Sequence, residues 1–212
     1  MGAAAQNDFR RILSFHIISQ VGYMVMGLAL QTPLALAGTV FYLIHHIIVK
    51  ANLFLVSGVV KRLQGSFELK RLGGMYRSHG WLAALFFIPA FSLAGFPPLS
   101  GFWAKMILIR ASLDIQQYGA AFIAAAVGLL TVYSMTKIWG EVFWKPAPQP
   151  NHAAGRRAAV KPSAWMTAPI AVLALLTICI GLGAEVVFKF ALQAAEELSH
   201  PQYYVDAVLG KM

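Results

Sequence analysis

Five stretches of this chain, at about residues 12–30, 34–60, 81–110, 118–140 and 164–190, are apolar and long enough to cross a bilayer. Roughly 30 Å of hydrocarbon needs about 20 helical residues, and in lipid every backbone N–H and C=O must be satisfied within the protein. That requirement leaves a helical bundle as the expectation: an all-α, polytopic membrane protein with five transmembrane helices. The composition agrees, at 58% hydrophobic and 12% charged residues, where a soluble domain carries about a quarter charged. A membrane domain over residues 1–192 and a C-terminal tail over 193–212 follow from the spans.

The formal net charge of +9 does not point to nucleic acid, because the basic residues lie between apolar blocks and form no basic, aromatic-lined groove. The lone Cys179 lies inside an apolar stretch, which excludes a disulfide framework and a cysteine-based metal site. No signal-peptide order of basic, apolar and cleavage regions opens the sequence MGAAAQNDFRR.

Loop charge sets an orientation, since Lys and Arg are enriched on the cytoplasmic side. Arg10, Arg11, Lys61, Arg62, Lys70, Arg71, Arg77, Lys145, Arg156, Arg157 and Lys161 fall on one side, eleven of the 17 basic residues. The other side carries Arg110, Lys189 and Lys211 against Asp114, Glu196, Glu197 and Asp206. The expectation is a multi-pass protein of the cell membrane (a bacterial inner membrane), N-terminus cytoplasmic and C-terminus outside. The Pro-rich, basic linker KPAPQPNHAAGRRAAVKP between the last two spans cannot be helical throughout. The short Gln31-Thr32-Pro33 turn makes the first two spans antiparallel neighbours.

The third span is expected to be broken. WLAALFFIPAFSLAGFPPLSGFWAKMILIR carries Pro89, Gly95, Pro97, Pro98 and Gly101 in its middle. Adjacent prolines remove two backbone donors and bar the preceding residues from helix. Irregular backbone at membrane depth is tolerated only where protein buries it or it lines a wet cavity, and transporters build ion sites at such breaks.

Lys50 sits in LALAGTVFYLIHHIIVKANLFLVSGVV, residues 34–60, about ten residues from the cytoplasmic end. That is roughly 15 Å along a helix, too far for a lysine stem to snorkel comfortably. Ionisable residues at this depth face a protein interior or a water path, so Lys50 reads as a proton-relay residue. His46, one turn earlier, shares its face and can both give and take a proton. Its plain alternative is a histidine bonded to a neighbouring helix. His45 points about 100° away, and Tyr42 extends the stripe, although a tyrosine here is often packing. Lys105, in the second half of the broken span, is the third relay candidate, with snorkelling beside Arg110 as its alternative. His16, Ser19, Gln20 and Tyr23 form one polar stripe that either holds water beside Lys50 or bonds to other helices. Lys137 and Glu141 read as an i,i+4 pair anchoring the fourth span beside Trp139 and Trp144, and Glu185 and Lys189 as an end-of-helix pair. No metal-ligand spacing or cofactor motif appears, so neither a metal nor a cofactor is expected.

The runs FRRILSFHIISQVGYMVMGLAL, YLIHHIIVKANLFLVSG, LKRLGGMY and SLAGFPPLSGFWAKMIL resemble the C-terminal part of the D subunit of Mrp-type multisubunit cation/proton antiporters. That family is related to antiporter-like subunits of respiratory complex I and of membrane-bound hydrogenases, and the AGFPPLSGFWAK wording favours the Mrp subunit. The resemblance covers nearly all of the chain. It implies helices ten to fourteen of a fourteen-helix bundle with two inverted five-helix repeats, the 81–110 span being the second broken helix. It also implies relay roles for His46 and Lys50, and for Lys105 a role in passing protons outward; relatives carry lysine or glutamate there. Tyr42 occupies a place where some relatives carry another histidine. The first repeat is missing, so the expectation is a truncated product, one piece of a split subunit, or a fragment of a longer reading frame.

The function implied is a proton-translocating segment of a monovalent cation/proton (Na+/H+) antiporter: a secondary transporter subunit, not an enzyme. Its partners are the other subunits of the complex, membrane lipid, protons and a monovalent cation. A complex I or hydrogenase antiporter-like subunit is the near alternative, and a truncated, non-transporting structural subunit the alternative of another class. A membrane hydrolase is the weakest, because the histidines lack a nucleophile or metal-ligand partner.

Overall fold

A computed structural model describes residues 2–147 and 163–200, with residues 202 and 208. The elements are α1 (Gly2–Ala5), α2 (Phe9–Leu30), α3 (Pro33–Gln64), a 3-10 turn (Leu69–Arg71), α4 (Met75–Ser78), α5 (Gly80–Ala94), α6 (Ser100–Asp114), α7 (Tyr118–Trp139) continued by a π turn (Gly140–Trp144), α8 (Ala164–Leu182) and α9 (Ala184–Ser199). Among the described residues there is no sheet, only an isolated bridge between Asp8 and Glu68. Most of the linker read as non-helical, residues 148–162, lies outside the described residues, as does most of the tail beyond His200.

Local chemistry sets the helix ends. The Asp8 side chain accepts from the Arg11 amide at 2.9 Å and starts α2. Gln31 ends it in a left-handed conformation, φ 51°. Thr32 then accepts from the Ala35 amide at 3.1 Å, Pro33 opens α3 with its fixed φ, and Gly65 closes it at φ 77°. The result is an antiparallel pair whose far ends are also joined. Phe9 donates its amide to the Phe67 carbonyl, and Leu69 to the Asn7 carbonyl, both at 2.9 Å.

Among the described residues, four helices are long and apolar enough to cross a membrane: Phe9–Leu30, Pro33–Gln64, Tyr118–Trp144 and Ala164–Leu182. The 81–110 stretch forms two helices of 15 residues, α5 and α6, each only about 22 Å long at 1.5 Å per residue. The chain breaks at Gly95–Leu99, where Gly95 takes φ 97° and the Pro97–Pro98 bond is cis, whereas Pro89 stays inside α5. Helix α8 stops at Leu182, short of the expected 190. After Gly183 the amphipathic α9 runs on to Ser199, with Glu185, Lys189, Glu196 and Glu197 exposed.

The centre of the bundle is α3, about 48 Å long for its 32 residues, packed against α2, α5, α6, α8 and α9. Two apolar clusters divide its length. One gathers Val49, Leu53, Val56 and Val60 with Phe9, Leu13, Phe86 and Phe143. The other gathers Ala37, Phe41 and Tyr42 with Tyr23, Ala104, Leu108, Ala191 and Ala195. His45 and His46 fall between them. Large apolar side chains cover the outside, among them Ile18, Phe122, Leu129 and Leu175, each at least 60% exposed. Such a surface suits acyl chains, because soluble monomers rarely expose apolar patches of this extent.

Candidate proton-relay site

The broken helix builds the site. A helix end leaves its last carbonyls without amide partners. Lys105, reaching back from α6, donates to the carbonyls of Leu93 at 2.8 Å and Ala94 at 3.1 Å, the last two residues of α5. An ammonium there is favoured by the negative end of the helix dipole. Its Nζ also lies 5.4 Å from the centre of the Tyr23 ring. Gly101 lets the two half-helices meet: a Cβ there would collide with the Ser92 carbonyl and press on the His45 ring. The Gly101 amide donates to Ser92 Oγ at 3.2 Å, and the Ser92 and Ser100 hydroxyls are bonded at 3.0 Å.

From the break, polar contacts lead along α3 and α2. Ser100 Oγ bonds His45 Nδ1 at 2.8 Å, and the His45 ring meets Tyr42 edge-on at 5.8 Å. Tyr42 stacks on Tyr23 at 5.1 Å and donates its hydroxyl to Gln20 Oε1; Tyr23 donates to the Ala124 carbonyl. The Gln20 amide faces Ser19 Oγ at 3.3 Å and Thr131 Oγ1 at 3.4 Å. Lys50 is 5% exposed and donates to the Leu13 carbonyl of α2 at 2.9 Å. It points into the bundle and does not snorkel. His16, His45 Nε2 and His46 Nε2 are buried without a hydrogen-bonding partner among the described residues. A buried polar atom left unpaired is costly, so each marks a place where water or another polar group is expected.

The chain matches, over residues 1–131, the family described as NADH:quinone oxidoreductase/Mrp antiporter, TM. It belongs to that family. Among its relatives, the D subunit of the Na(+)/H(+) antiporter of Alkalihalophilus pseudofirmus is 48% identical, the alignment covering 99% of this chain and 41% of that protein. The same-named protein of Bacillus subtilis is 34% identical over 99% of this chain and 41% of its own length. Among solved structures, one of the Mrp complex from a Dietzia species superposes with a TM-score of 0.88 at 34% identity, covering 99% of this chain and 46% of that one. The chain thus spans about two fifths of the length of the curated relatives it matches.

In this member of the NADH:quinone oxidoreductase/Mrp antiporter family, the residues singled out from sequence divide into two groups. Tyr42, His45, Gln20 and Ser19 join one contact chain that reaches the break and Lys105. Lys50 and His46 lie beside that chain, and among the described residues no hydrogen bond joins them to each other. His45, which diverges from His46 on the helix, is the histidine tied to the break. Ser92, Ser100, Thr131 and Asn52 are not singled out by sequence; Asn52 donates to the Ile170 carbonyl at 3.1 Å. Two serines flanking the Gly-Pro-Pro break are the available signal for the first pair. The expected Lys137–Glu141 pair does not form. Glu141 instead meets Lys145 at 2.8 Å, because Lys137 is drawn away by the carbonyls of Ala4 and Gln6 and by Asn7 Oδ1. Glu185 and Lys189 do pair, at 2.7 Å. Among the described residues no group of three or more His, Cys, Asp or Glu is placed to hold a metal ion.

Proposed function

We propose that this chain is the proton-translocating segment of a D subunit in a multisubunit Na+/H+ antiporter. Its broken 81–110 stretch crosses the membrane as one interrupted span, giving five in all, with the membrane domain over residues 1–192 and the tail over 193–212. The basic loops place the N-terminus in the cytoplasm and the C-terminus outside. Protons pass through His46 and Lys50 toward Lys105, with His45, Tyr42, His16, Ser19 and Gln20 holding the hydrated wire. A monovalent cation is exchanged by the complex to which the chain contributes, and its partners are the other subunits and lipid.

The observation that carries this reading is Lys105 seated on the open carbonyls of α5 inside the break. A charge so placed is rare at membrane depth unless it lies on an ion or proton path. The names of the two relatives, each the D subunit of an Na(+)/H(+) antiporter, favour sodium as the exchanged ion. Dye-reported proton movement on sodium addition, in everted vesicles of the assembled complex, tests the proposal. Lys105→Ala and Lys50→Ala are each expected to abolish exchange, scored per assembled complex. Unchanged exchange in both would leave a structural subunit as the surviving reading.

A further inference from the structure

A cavity of about 340 Å³ opens between α1, α2 and α7, away from the break. Its walls include His16, Ser19, Thr131 and Ser134, and Gly2–Ala4 forms one side. His16 is 2% exposed, and neither of its ring nitrogens has a hydrogen-bonding partner among the described residues. The three hydroxyls give their protons to carbonyls of their own helices: Ser19 to His16, Thr131 to Val127 and Ser134 to Leu130. The Gln20 amide faces one lone pair of Ser19 and one of Thr131, and the others remain to accept from a donor in the cavity. Phe15, Ile18, Val127 and Leu130 make the rest of the lining apolar, so water is held at the polar cluster, and the volume has room for at most roughly ten waters at about 30 Å³ each. Lipid tails cannot satisfy an imidazole, so water is the occupant that fits.

One residue holds the segment that follows this wall. Lys137, a turn from Ser134 on α7, donates to the Ala4 carbonyl at 3.0 Å, the Gln6 carbonyl at 2.8 Å and Asn7 Oδ1 at 3.1 Å. All three of its N–H bonds are used on the segment that leads into α2. We propose that the cavity is a water-filled port through which His16 trades protons with bulk solvent, and that Lys137 latches residues 4–7 to keep the port narrow. Neutral imidazole takes a proton from hydronium at one nitrogen, leaving water. It releases its other N–H proton on the opposite side and returns neutral. The carbonyl of Leu13, one turn before His16, holds Lys50, so the port feeds the relay at that lysine. The inference deepens the proton-relay reading and rests on it.

Water-dependent thiol modification tests the port without requiring transport. With Cys179, the lone cysteine of this sequence, replaced by serine, Ser134→Cys reports the cavity and Ser112→Cys, fully buried on α6, serves as control. The full complex in native membranes is treated with a small hydrophilic methanethiosulfonate. Losing charge-assisted bonds shifts a local opening equilibrium, so Lys137→Met is expected to raise the Ser134→Cys rate about tenfold or more. The control should not change, Lys137→Arg should keep the slow rate, and Asn7→Ala, which removes one bond, should give an intermediate one. Hydrogen exchange at the His16 ring carbon, read by mass spectrometry, should accelerate alongside. Equal Ser134→Cys rates with and without the latch overturn the proposal, as does a rate no faster than the control in every background. Loss of the relay reading would instead show as intact exchange in Lys50→Ala with the labelling pattern preserved.

Discussion

The two buried lysines are held in unlike ways. Lys105 rests on carbonyls that no helix amide claims, because α5 ends there. Lys50 rests on the Leu13 carbonyl, which lies inside the intact helix α2 and is already the acceptor of a helical bond four residues on. Lys105 therefore caps a half-helix, in addition to the relay role proposed for it. Lys50 is a lighter attachment, with one hydrogen bond among the described residues, better suited to exchanging partners. Break and lysine are interdependent at one site and separable at the other.

Gly101→Leu should have the largest effect, since a side chain there drives α6 off the Ser92 carbonyl and removes the Lys105 seat while sparing that of Lys50. The expected outcome is failure to accumulate assembled subunit, read by immunoblot of the purified complex; normal assembly would mean that the close crossing is not needed. Lys105→Ala follows. It strands two buried carbonyls at a cost of about 1–3 kcal/mol each, so the thermal midpoint in detergent should fall together with exchange. Lys50→Ala should remove exchange but lower the midpoint much less, because the Leu13 carbonyl keeps its helical partner. Equal destabilisation by the two alanines would break the comparison. Ser100→Ala should be mildest: His45 loses its 2.8 Å partner, at a cost of about 1 kcal/mol, and exchange slows by roughly fivefold or less while assembly stays normal.

Much of the helical frame is legible in the chain. The Gln31-Thr32-Pro33 turn marks the boundary of the first two helices by chemistry that acts within four residues, and the Gly95–Pro97–Pro98 run announces the break. The lysines are visible because charge is conspicuous against apolar sequence. What stays hidden depends on neighbours distant along the chain. Helical projection turns His45 away from the relay face, yet α6 brings Ser100 to it across 55 positions. Lys137 has an apparent partner one turn away, but three oxygens from the N-terminal segment outcompete a half-exposed carboxylate whose own alternative is Lys145. The stop of α8 at Leu182 escapes a reading of hydropathy because Gly183 sits amid residues apolar enough to continue the span.

The bridge between residues 7–9 and 67–69 has a mechanical corollary. With a tight turn at one end and two backbone bonds at the other, α2 and α3 form a closed loop that cannot scissor apart. Any rigid-body displacement of one of these helices must then carry the other with it as a single strut, whereas α5 and α6 are joined through the non-helical Gly95–Leu99 segment.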